Sequence, residues 1–159
     1  MRGALSNPVA VSAGFDHSCA IGASGVACWG DGFDGQTLVP GTLSNPVEVS
    51  AGGAHSCALD DSGVVCWGDD SSGQVTVPTG INALINPVVV SAGFNHTCAI
   101  DDSGVVCWGD NFYGQATVPS GINALSNPVA VNAGGNQTCA IDDSGVGCWG
   151  NNGSGQLTV

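Results

Sequence analysis

The stretch HSCAIGASGVACWGDGFDGQ at residues 17–36 returns three more times in this chain of 159 residues. The copies are HSCALDDSGVVCWGDDSSGQ at 55–74, HTCAIDDSGVVCWGDNFYGQ at 96–115 and QTCAIDDSGVGCWGNNGSGQ at 137–156. The tryptophans in these copies follow one another at intervals of 38, 41 and 41 residues. A repeat of about 40 residues is typical of proteins built from stacked supersecondary units, so the sequence predicts a tandem array.

Each repeat contains four short segments with the composition of β-strands. In the first repeat these segments are NPVAVSAG, HSCAI, GVACWG and GQTLVP, which are bounded by glycine or proline. Four such strands in about 40 residues are the pattern of one antiparallel β-propeller blade. The predicted fold is therefore all-β, a single propeller domain over residues 1–159 with four blades of four strands. The approximate blade limits are 4–42, 43–83, 84–124 and 125–159.

The second and third segments of each repeat form a predicted hairpin. In the turn DDSG the glycine suits a left-handed position, and the resulting register pairs Leu59 with Val64. The same register places the two cysteines of each repeat opposite each other, within reach of a disulfide. The predicted pairs are Cys19–Cys28, Cys57–Cys66, Cys98–Cys107 and Cys139–Cys148. Paired cysteines indicate an oxidising compartment, so a secreted or cell-surface location is expected.

Two other uses of the cysteines stay open at this point: reduced thiols that serve as small buried hydrophobic residues, and metal binding. His17, Cys19 and Cys28 share a face, but the fourth repeat has Gln137 in place of the histidine and no fourth ligand recurs. We therefore expect no metal and no cofactor. The histidines are interpreted as strand-start residues that hydrogen-bond a nearby backbone, a role that glutamine can also fill. Because no partner base or nucleophile recurs beside them, no enzymatic activity is expected.

The charge of the chain disfavours one class of partner. One basic residue, Arg2, stands against thirteen acidic ones, which gives a formal net charge of −12. Nucleic-acid binding relies on Lys and Arg to neutralise phosphates, so no nucleic-acid partner is expected. No apolar run approaches the roughly 18 residues of a membrane span. We therefore expect no membrane association, and the first residues lack the apolar core of a signal peptide.

Residues that vary between repeats concentrate in the loops after the first and third strands, which a meander places at the same end. Aromatic residues occur there in repeats one and three only, so we expect Phe15 to contact Phe33, and Phe94 to contact Phe112. These rings either cover one another or anchor a partner protein, since aromatic anchors supply most of the energy of protein interfaces. The candidate binding residues are Phe15, Asp16, Phe33, Asp34, Phe94, Asn95, Phe112 and Tyr113.

The Asp-Asp pairs of the DDSG turns lie at the other end. Aspartate is favoured in turns for its own backbone hydrogen bonds. A calcium site is a weaker interpretation, because the first repeat has GASG at this position and no loop gathers the six or more oxygens that calcium prefers.

The joint pattern Ala-Gly-x-x-His-x-x-Ala-[Leu/Ile], then Gly-Val, then Trp-Gly-[Asp/Asn]-x-x-x-Gly-Gln resembles the repeat of the regulator of chromosome condensation superfamily. The pattern fits the first three repeats fully and the fourth with Gln137 replacing histidine. The extension Gly-Gln-x-Thr-Val-Pro at 73–78 and 114–119 is similar to that of compact bacterial members, which include β-lactamase inhibitors. The resemblance implies a β-propeller, usually of about seven blades, that acts through protein contacts. It does not imply nuclear exchange-factor activity, because the repeats are few and no basic tail is present.

Four repeats are fewer than such a ring holds, so the sequence predicts an open half-ring with two apolar end faces. Two copies joined head to tail would close a ring with two-fold symmetry, and a homodimer that forms an eight-bladed ring is expected. A fragment of a longer chain and a four-bladed monomer are the alternatives.

The predicted function is a non-enzymatic protein-binding scaffold that self-associates. Three other functions stay open from the sequence. The chain would inhibit a secreted enzyme such as a β-lactamase, bind glycans through shallow pockets on its blades, or act as a purely structural or engineered symmetric repeat protein.

Overall fold

The computed structural model of the chain describes residues 5–80, 83–120 and 125–159. In these residues, twelve strands form four antiparallel sheets of three strands each, which we name blade 1 to blade 4 in chain order. The predicted blade limits at residues 4 and 124 lie outside the described residues. The strands are β1 (Ala10–Ala13), β2 (His17–Gly22) and β3 (Gly25–Gly30) in blade 1, β4 (Glu48–Ala51), β5 (His55–Asp60) and β6 (Gly63–Gly68) in blade 2, β7 (Val89–Ala92), β8 (His96–Asp101) and β9 (Gly104–Gly109) in blade 3, and β10 (Ala130–Ala133), β11 (Gln137–Asp142) and β12 (Gly145–Gly150) in blade 4.

The predicted hairpin register is confirmed in every blade. In blade 2, Leu59 lies opposite Val64 and Cys57 lies opposite Cys66. The turn glycine Gly63 has a φ of +109°, the left-handed region that glycine occupies without strain. The four predicted disulfides are present, and no cysteine of the described residues is free: Cys19–Cys28, Cys57–Cys66, Cys98–Cys107 and Cys139–Cys148.

The predicted fourth strand of each blade is wrong, because the segment that should form it is a turn. In blade 1, the Leu38 N–H donates to the Gly35 carbonyl at 2.9 Å and the Val39 N–H donates to the Thr37 carbonyl at 3.1 Å. Pro40 has no N–H to offer a neighbouring strand. The backbone groups that a fourth strand needs are therefore used within the turn, and each blade has three strands.

The hydrophobic core lies between blades. Cys19 and Ile21 of blade 1 pack against Val49, Ala51 and Trp67 of blade 2, and equivalent clusters join blades 2 and 3 and blades 3 and 4. We call the side of a blade that packs on the next blade its front face, and the side that packs on the preceding blade its back face. Because a blade buries its apolar residues only against its neighbours, stability accumulates along the array.

The blades are arranged around a common axis. The first strands of consecutive blades contact each other, β1 with β4, β4 with β7 and β7 with β10, so the first strand of each blade is the innermost one. Among the described residues, no other blade packs on the back face of blade 1 or on the front face of blade 4. Val11 and Ala13 are exposed on the former and Ile141 on the latter, so the two predicted apolar end faces are present.

Candidate functional site

The loops after the first and third strands of each blade lie together at one end of the molecule, as predicted. In blade 1 the Asp31 N–H donates to the Asp16 carbonyl at 2.9 Å, and the same bond joins the two loops in the other three blades. Gly30 stands at the contact with a φ of +110°, and a Cβ there would lie 2.6 Å from the Asp16 oxygen. The glycine of the Trp-Gly pair is therefore required by this close approach. We call the surface formed by these loops the rim surface.

The rim surface exposes most of the predicted binding residues. Phe33 is 92% exposed and Phe112 is 84% exposed. Phe15, Phe94 and Tyr113 are also exposed, as are Asp16 and Asp34, while Asn95 is half-buried. Large apolar rings held this far into solvent do not contribute to the core of the chain itself.

The predicted contacts among these rings are wrong. Phe15 of blade 1 meets Phe94 of blade 3 edge-on, with ring centroids 5.5 Å apart, and Phe112 meets its neighbour Tyr113 at 4.9 Å. The first loops lie near the axis, where blade 2 carries Gly53 at the position of the phenylalanines. A Cβ on Gly53 would clash with the Phe94 carbonyl oxygen and would lie 3.1 Å from the Phe94 ring, so a side chain at this position would displace Phe94.

An open pocket of about 240 Å³ lies at the axis between the first loops. Phe15, Phe94 and the glycines of the first loops line it, and none of the lining residues is titratable. Backbone hydrogen bonds join the loops of consecutive blades: Phe15 N–H to Gly52, Gly53 N–H to Gly93 and Phe94 N–H to Gly134, all at 3.0 Å. Because these three N–H groups are paired and the side chains of the lining are apolar, the pocket is mainly apolar and suits a hydrophobic group.

A buried glutamine fixes the third loop of blades 1, 2 and 3, a role that the prediction of a strand for its segment does not include. In blade 1, Gln36 Nε2 donates to Asp31 Oδ2 and Gln36 Oε1 accepts from the Asp34 N–H, both at 3.0 Å. The Gln36 carbonyl accepts from Trp67 Nε1 and Ser56 Oγ of blade 2, both at 2.9 Å. Gln74 and Gln115 make the same contacts to the following blades. The exposed phenylalanines therefore stand on loops that are bonded to the core of the next blade.

The histidines link neighbouring blades. His17 Nε2 lies 2.8 Å from the Ser56 hydroxyl of blade 2, and His55 and His96 make the equivalent contacts to threonines at 2.9 Å. The Ser56 hydroxyl donates its own proton to the Gln36 carbonyl, so it accepts from the histidine Nε2–H. The predicted backbone partner is wrong, because stacking brings a hydroxyl of the next blade within reach.

This arrangement keeps the histidines neutral. The Nδ1 atoms of all three rings are buried without a partner among the described residues. Burial lowers the pKa of His55 and of His96 to about 4. No carboxylate of the described residues hydrogen-bonds these rings, and the hydroxyl that each ring contacts donates its own proton to a glutamine carbonyl.

The acidic turns at the opposite end satisfy their own backbone. Asp60 Oδ2 accepts from the Ser44 N–H at 2.8 Å, and Asp61 Oδ2 accepts from Asn45 Nδ2 at 2.6 Å. Burial acts to raise the pKa of Asp60, but hydrogen bonds from Ser62 and Ser44 hold it below its usual value. In the part of the chain that the structure describes, no group of three or more His, Cys, Asp or Glu side chains is placed to hold a metal ion. The described residues also contain no helix of a length and hydropathy that would cross a membrane.

A family model for the regulator of chromosome condensation (RCC1) repeat matches residues 9–36, 47–74 and 88–115, together more than half of the chain. A comparison with curated protein sequences found no significant match.

Solved propeller structures resemble the whole chain. The CRINKLY WD40 ectodomain of the Arabidopsis thaliana receptor kinase ACR4 is 28% identical, with a TM-score of 0.67 over 91% of this chain and 50% of that chain. The ectodomain of the Physcomitrella patens receptor kinase CR4 is 27% identical, with a TM-score of 0.73 over 96% and 43%. Yeast RCC1 (Prp20), solved in complex with Kap60, is 18% identical, with a TM-score of 0.77 over 96% and 45%, and shares the fold. The chain thus spans about half the length of the solved chains it matches.

Proposed function

The chain belongs to the RCC1 repeat family, and on that premise we propose that it is a non-enzymatic, protein-binding propeller scaffold that binds a partner protein through its rim surface and also self-associates. One structural relative, yeast RCC1 (Prp20), is described as a protein binder in two solved structures, one in complex with Kap60 and one described together with its binding to Gsp1p and histones. Kap60, Gsp1p and histones are partners of the yeast protein. For this chain they support only the mode of action, which is contact with other proteins.

The observation that carries the proposal is the exposure of Phe33 and Phe112 on anchored loops. Exposed apolar rings that are gathered at one end of a molecule indicate an interaction surface. Such rings anchor interfaces most strongly when they are held in place before binding. The buried side chains of Gln36 and Gln115 hold the two loops by hydrogen bonds, so little conformational entropy is lost when a partner docks.

The charge of the surface specifies the kind of partner. The rim surface carries Asp16 and Asp34 beside the phenylalanines, and the chain as a whole has a formal net charge of −12. Complementary charge at the border of an interface speeds association and suppresses wrong partners. We therefore expect a partner protein whose binding face has an apolar patch bordered by lysines and arginines.

Photo-crosslinking tests this proposal. A photoreactive phenylalanine analogue replaces Phe33 in one chain and Phe112 in another, and each chain is irradiated with secreted and surface proteins of the source organism. The expected products join both positions to the same partner, through peptides that contain basic residues beside apolar ones. Capture should also weaken as salt is added, because exposed charge pairs are screened.

The matched control places the same analogue at Val88, which is exposed near the opposite end of blade 3. Crosslinks from Val88 to the same partner, in equal yield, contradict a specific rim surface. A second comparison uses the double variant Phe33→Ala/Phe112→Ala. Unchanged capture by that variant also contradicts the proposal, since removal of aromatic anchors typically costs more than about 2 kcal/mol each.

A secreted or cell-surface location is part of the proposal. The four disulfides support it, because such bonds persist in oxidising compartments. The two receptor-kinase relatives are ectodomains, which is consistent with the same location. Fractionation of the source cells tests it, and recovery of the protein only from the reducing cytosol would contradict it.

Self-association is the second part of the proposal. The two end faces are apolar, and no other blade of the described residues covers them. Between consecutive blades, a front face always packs against a back face, so the two end faces are complementary in kind. We propose a homodimer in which two copies complete one ring. Light scattering at micromolar concentration is expected to give twice the chain mass of 15.6 kDa. A stable monomer under those conditions contradicts this part and leaves the rim surface untouched.

A further inference from the structure

We infer that two copies of this chain join head to tail: the front face of blade 4 in one copy packs on the back face of blade 1 in the other. The junction then repeats the interfaces that already join the blades within each chain. This inference rests on the proposed self-association. It goes further because it names the two faces, their direction and the atoms that meet.

The back face of blade 1 is a blade surface that lacks its neighbour. Trp29 is 52% exposed, whereas its equivalent Trp67 is 7% exposed where blade 1 covers it. Val11 is likewise exposed, whereas Val49 at the same position of blade 2 is buried. The residue types that blade 2 buries against blade 1 thus recur on the back face of blade 1, where no other blade of the described residues covers them.

The front face of blade 4 lacks a back face to cover it among the described residues. Ile141 is 46% exposed, whereas Ile100 at the same position of blade 3 is 4% exposed under blade 4. Val146, which follows the turn in blade 4, is exposed beside it. Within the chain, surfaces of this kind pack against the valine and alanine of the following back face. In the junction of blades 3 and 4, Cys98 and Ile100 pack against Val131, Ala133 and Trp149.

The unpaired polar groups of the two faces also correspond. Within the chain, the tryptophan Nε1–H and the serine or threonine hydroxyl of a back face donate to a glutamine carbonyl of the preceding blade, as Trp149 and Thr138 do to Gln115. On blade 1 the equivalent donors are Trp29 and Ser18, for which the described residues supply no acceptor. On blade 4 the equivalent acceptor is the carbonyl of Gln156, for which they supply no donor. Head-to-tail contact brings these groups together.

The backbone hydrogen bonds between the first loops also run from each blade to the next one. The N–H after each first-loop glycine donates to the glycine carbonyl of the next blade, from Phe15 to Gly52 and onward to Phe94 and Gly134. Among the described residues this series leaves the Gly135 N–H without an acceptor and the Gly14 carbonyl without a donor. Gly135 lies in blade 4 and Gly14 in blade 1, so the same junction pairs them.

The replacement of the repeat histidine by glutamine in blade 4 is also compatible with the junction. Gln137 of blade 4 stands where the other blades have a histidine whose Nε2 meets a hydroxyl of the next blade. Its Oε1 accepts from the Asn136 N–H at 3.2 Å, which leaves Nε2 as a donor. The hydroxyl in the matching position of the other copy is that of Ser18. Gln137 Nε2 therefore takes the place of the histidine nitrogen across the junction.

The donors and acceptors of the two end faces determine how the two copies are oriented relative to each other. Two back faces placed against each other would bury the Trp29 and Ser18 donors of both copies without the acceptor that each has within the array. Two front faces would bury both Gln156 carbonyls without donors. Burial of a polar group without a hydrogen-bond partner is unfavourable. Only the pairing of a front face with a back face satisfies both sets.

Two single variants and their mixture test the junction. Trp29→Asp damages the back face and Ile141→Asp damages the front face, and each variant alone is expected to be a monomer by light scattering. Because each variant keeps the face that the other has lost, an equimolar mixture has one intact junction and is expected to regain dimers. Face-to-face association of two back faces or two front faces gives no such rescue.

The controls separate the possible failures. Val88→Asp, which changes an exposed valine outside both end faces, is expected to stay a dimer. If Trp29→Asp loses its folded circular dichroism spectrum, Val11→Asp replaces it on the same face. A monomeric wild-type protein would overturn the proposed self-association and this inference together. A wild-type dimer whose variants stay dimeric, or whose mixture stays monomeric, would overturn the head-to-tail junction alone.

Discussion

Trp67 in blade 2 donates its indole N–H to the carbonyl of Gln36 in blade 1, over a distance of 2.9 Å. The same bond joins Trp108 to Gln74 and Trp149 to Gln115, at 3.0 and 2.9 Å. The tryptophan and the Gly-Gln pair are the most regular features of the repeat, and they meet across the boundary between blades. The repeat therefore encodes the contact between units as much as the unit itself.

Replacement of Trp108 by phenylalanine is expected to lower the free energy of unfolding by about 1 to 3 kcal/mol, because the substitution removes a buried donor and part of a buried ring. Urea unfolding followed by circular dichroism measures the change. The matched control is Tyr113→Phe, which removes an exposed hydroxyl from the same blade and should leave the midpoint in place. Equal midpoints for Trp108→Phe and the wild type would contradict the role of the bond.

Removal of one disulfide, as in Cys57→Ser/Cys66→Ser, is expected to destabilise the protein by about 2 to 3 kcal/mol, since the bond closes a short loop. Thiol labelling gives a separate readout. The intact denatured protein should take up no label, and the reduced protein should take up eight, one for each cysteine. Eight labels before reduction would contradict the disulfides and the extracellular location together.

The sequence is sufficient to predict the hairpin of the second and third strands in each blade. The turn glycine and the strand lengths determine the hairpin register, so the opposition of Cys57 to Cys66 and of Ser56 to Trp67 followed from the spacing alone. The predicted rim surface is also correct in position, because loops at alternate ends of a meander are a consequence of antiparallel connection. Its role in binding stays a prediction.

The contacts between blades were not predictable from the same pattern. The partner of His17 is the Ser56 hydroxyl, 39 residues away, and depends on how two sheets stack. Phe15 meets Phe94 across blade 2, where Gly53 lies against Phe94 with no room for a side chain. The mistaken fourth strand has the same origin. The sequence GQTLVP has strand composition, but the carbonyl of its glutamine is taken by the next blade.

Replacement of Gln115 by alanine is expected to loosen the third loop of blade 3. The Gln115 side chain bonds Asp110 Oδ2 at 2.8 Å and the Tyr113 N–H at 2.9 Å, and both groups would lose their partner. Hydrogen exchange of residues 110–115 should become faster, by about tenfold or more for a loss of about 1.4 kcal/mol. The control Phe112→Ala changes an exposed ring in the same loop and should leave exchange unchanged. Unaltered exchange in Gln115→Ala would contradict anchoring by the glutamine.

Acid is expected to destabilise the protein through His55 and His96. Burial lowers the pKa of each from 6.5 to about 4, so the unfolded chain binds protons that the folded chain does not. The stability associated with the neutral rings is present above pH 6.5 and is lost as the pH falls toward 4. At about pH 5 the loss is on the order of 2 kcal/mol for each histidine.

Thermal unfolding at one protein concentration, compared at neutral pH and at about pH 5, measures this loss, and the double variant His55→Gln/His96→Gln provides its control. Blade 4 carries Gln137 at the same position, so glutamine is compatible with the strand start. The variant should be less stable than the wild type at neutral pH, because glutamine replaces a well-packed ring, yet its stability should depend less on pH in this window. Asp60 and Asp101 have lowered pKa values and titrate below this pH window. Both aspartates are present in the wild type and in the variant, so they do not cause a difference between the two proteins. Equal pH dependence in the two proteins would exclude the histidines as the source, because the double variant has lost both titrating groups.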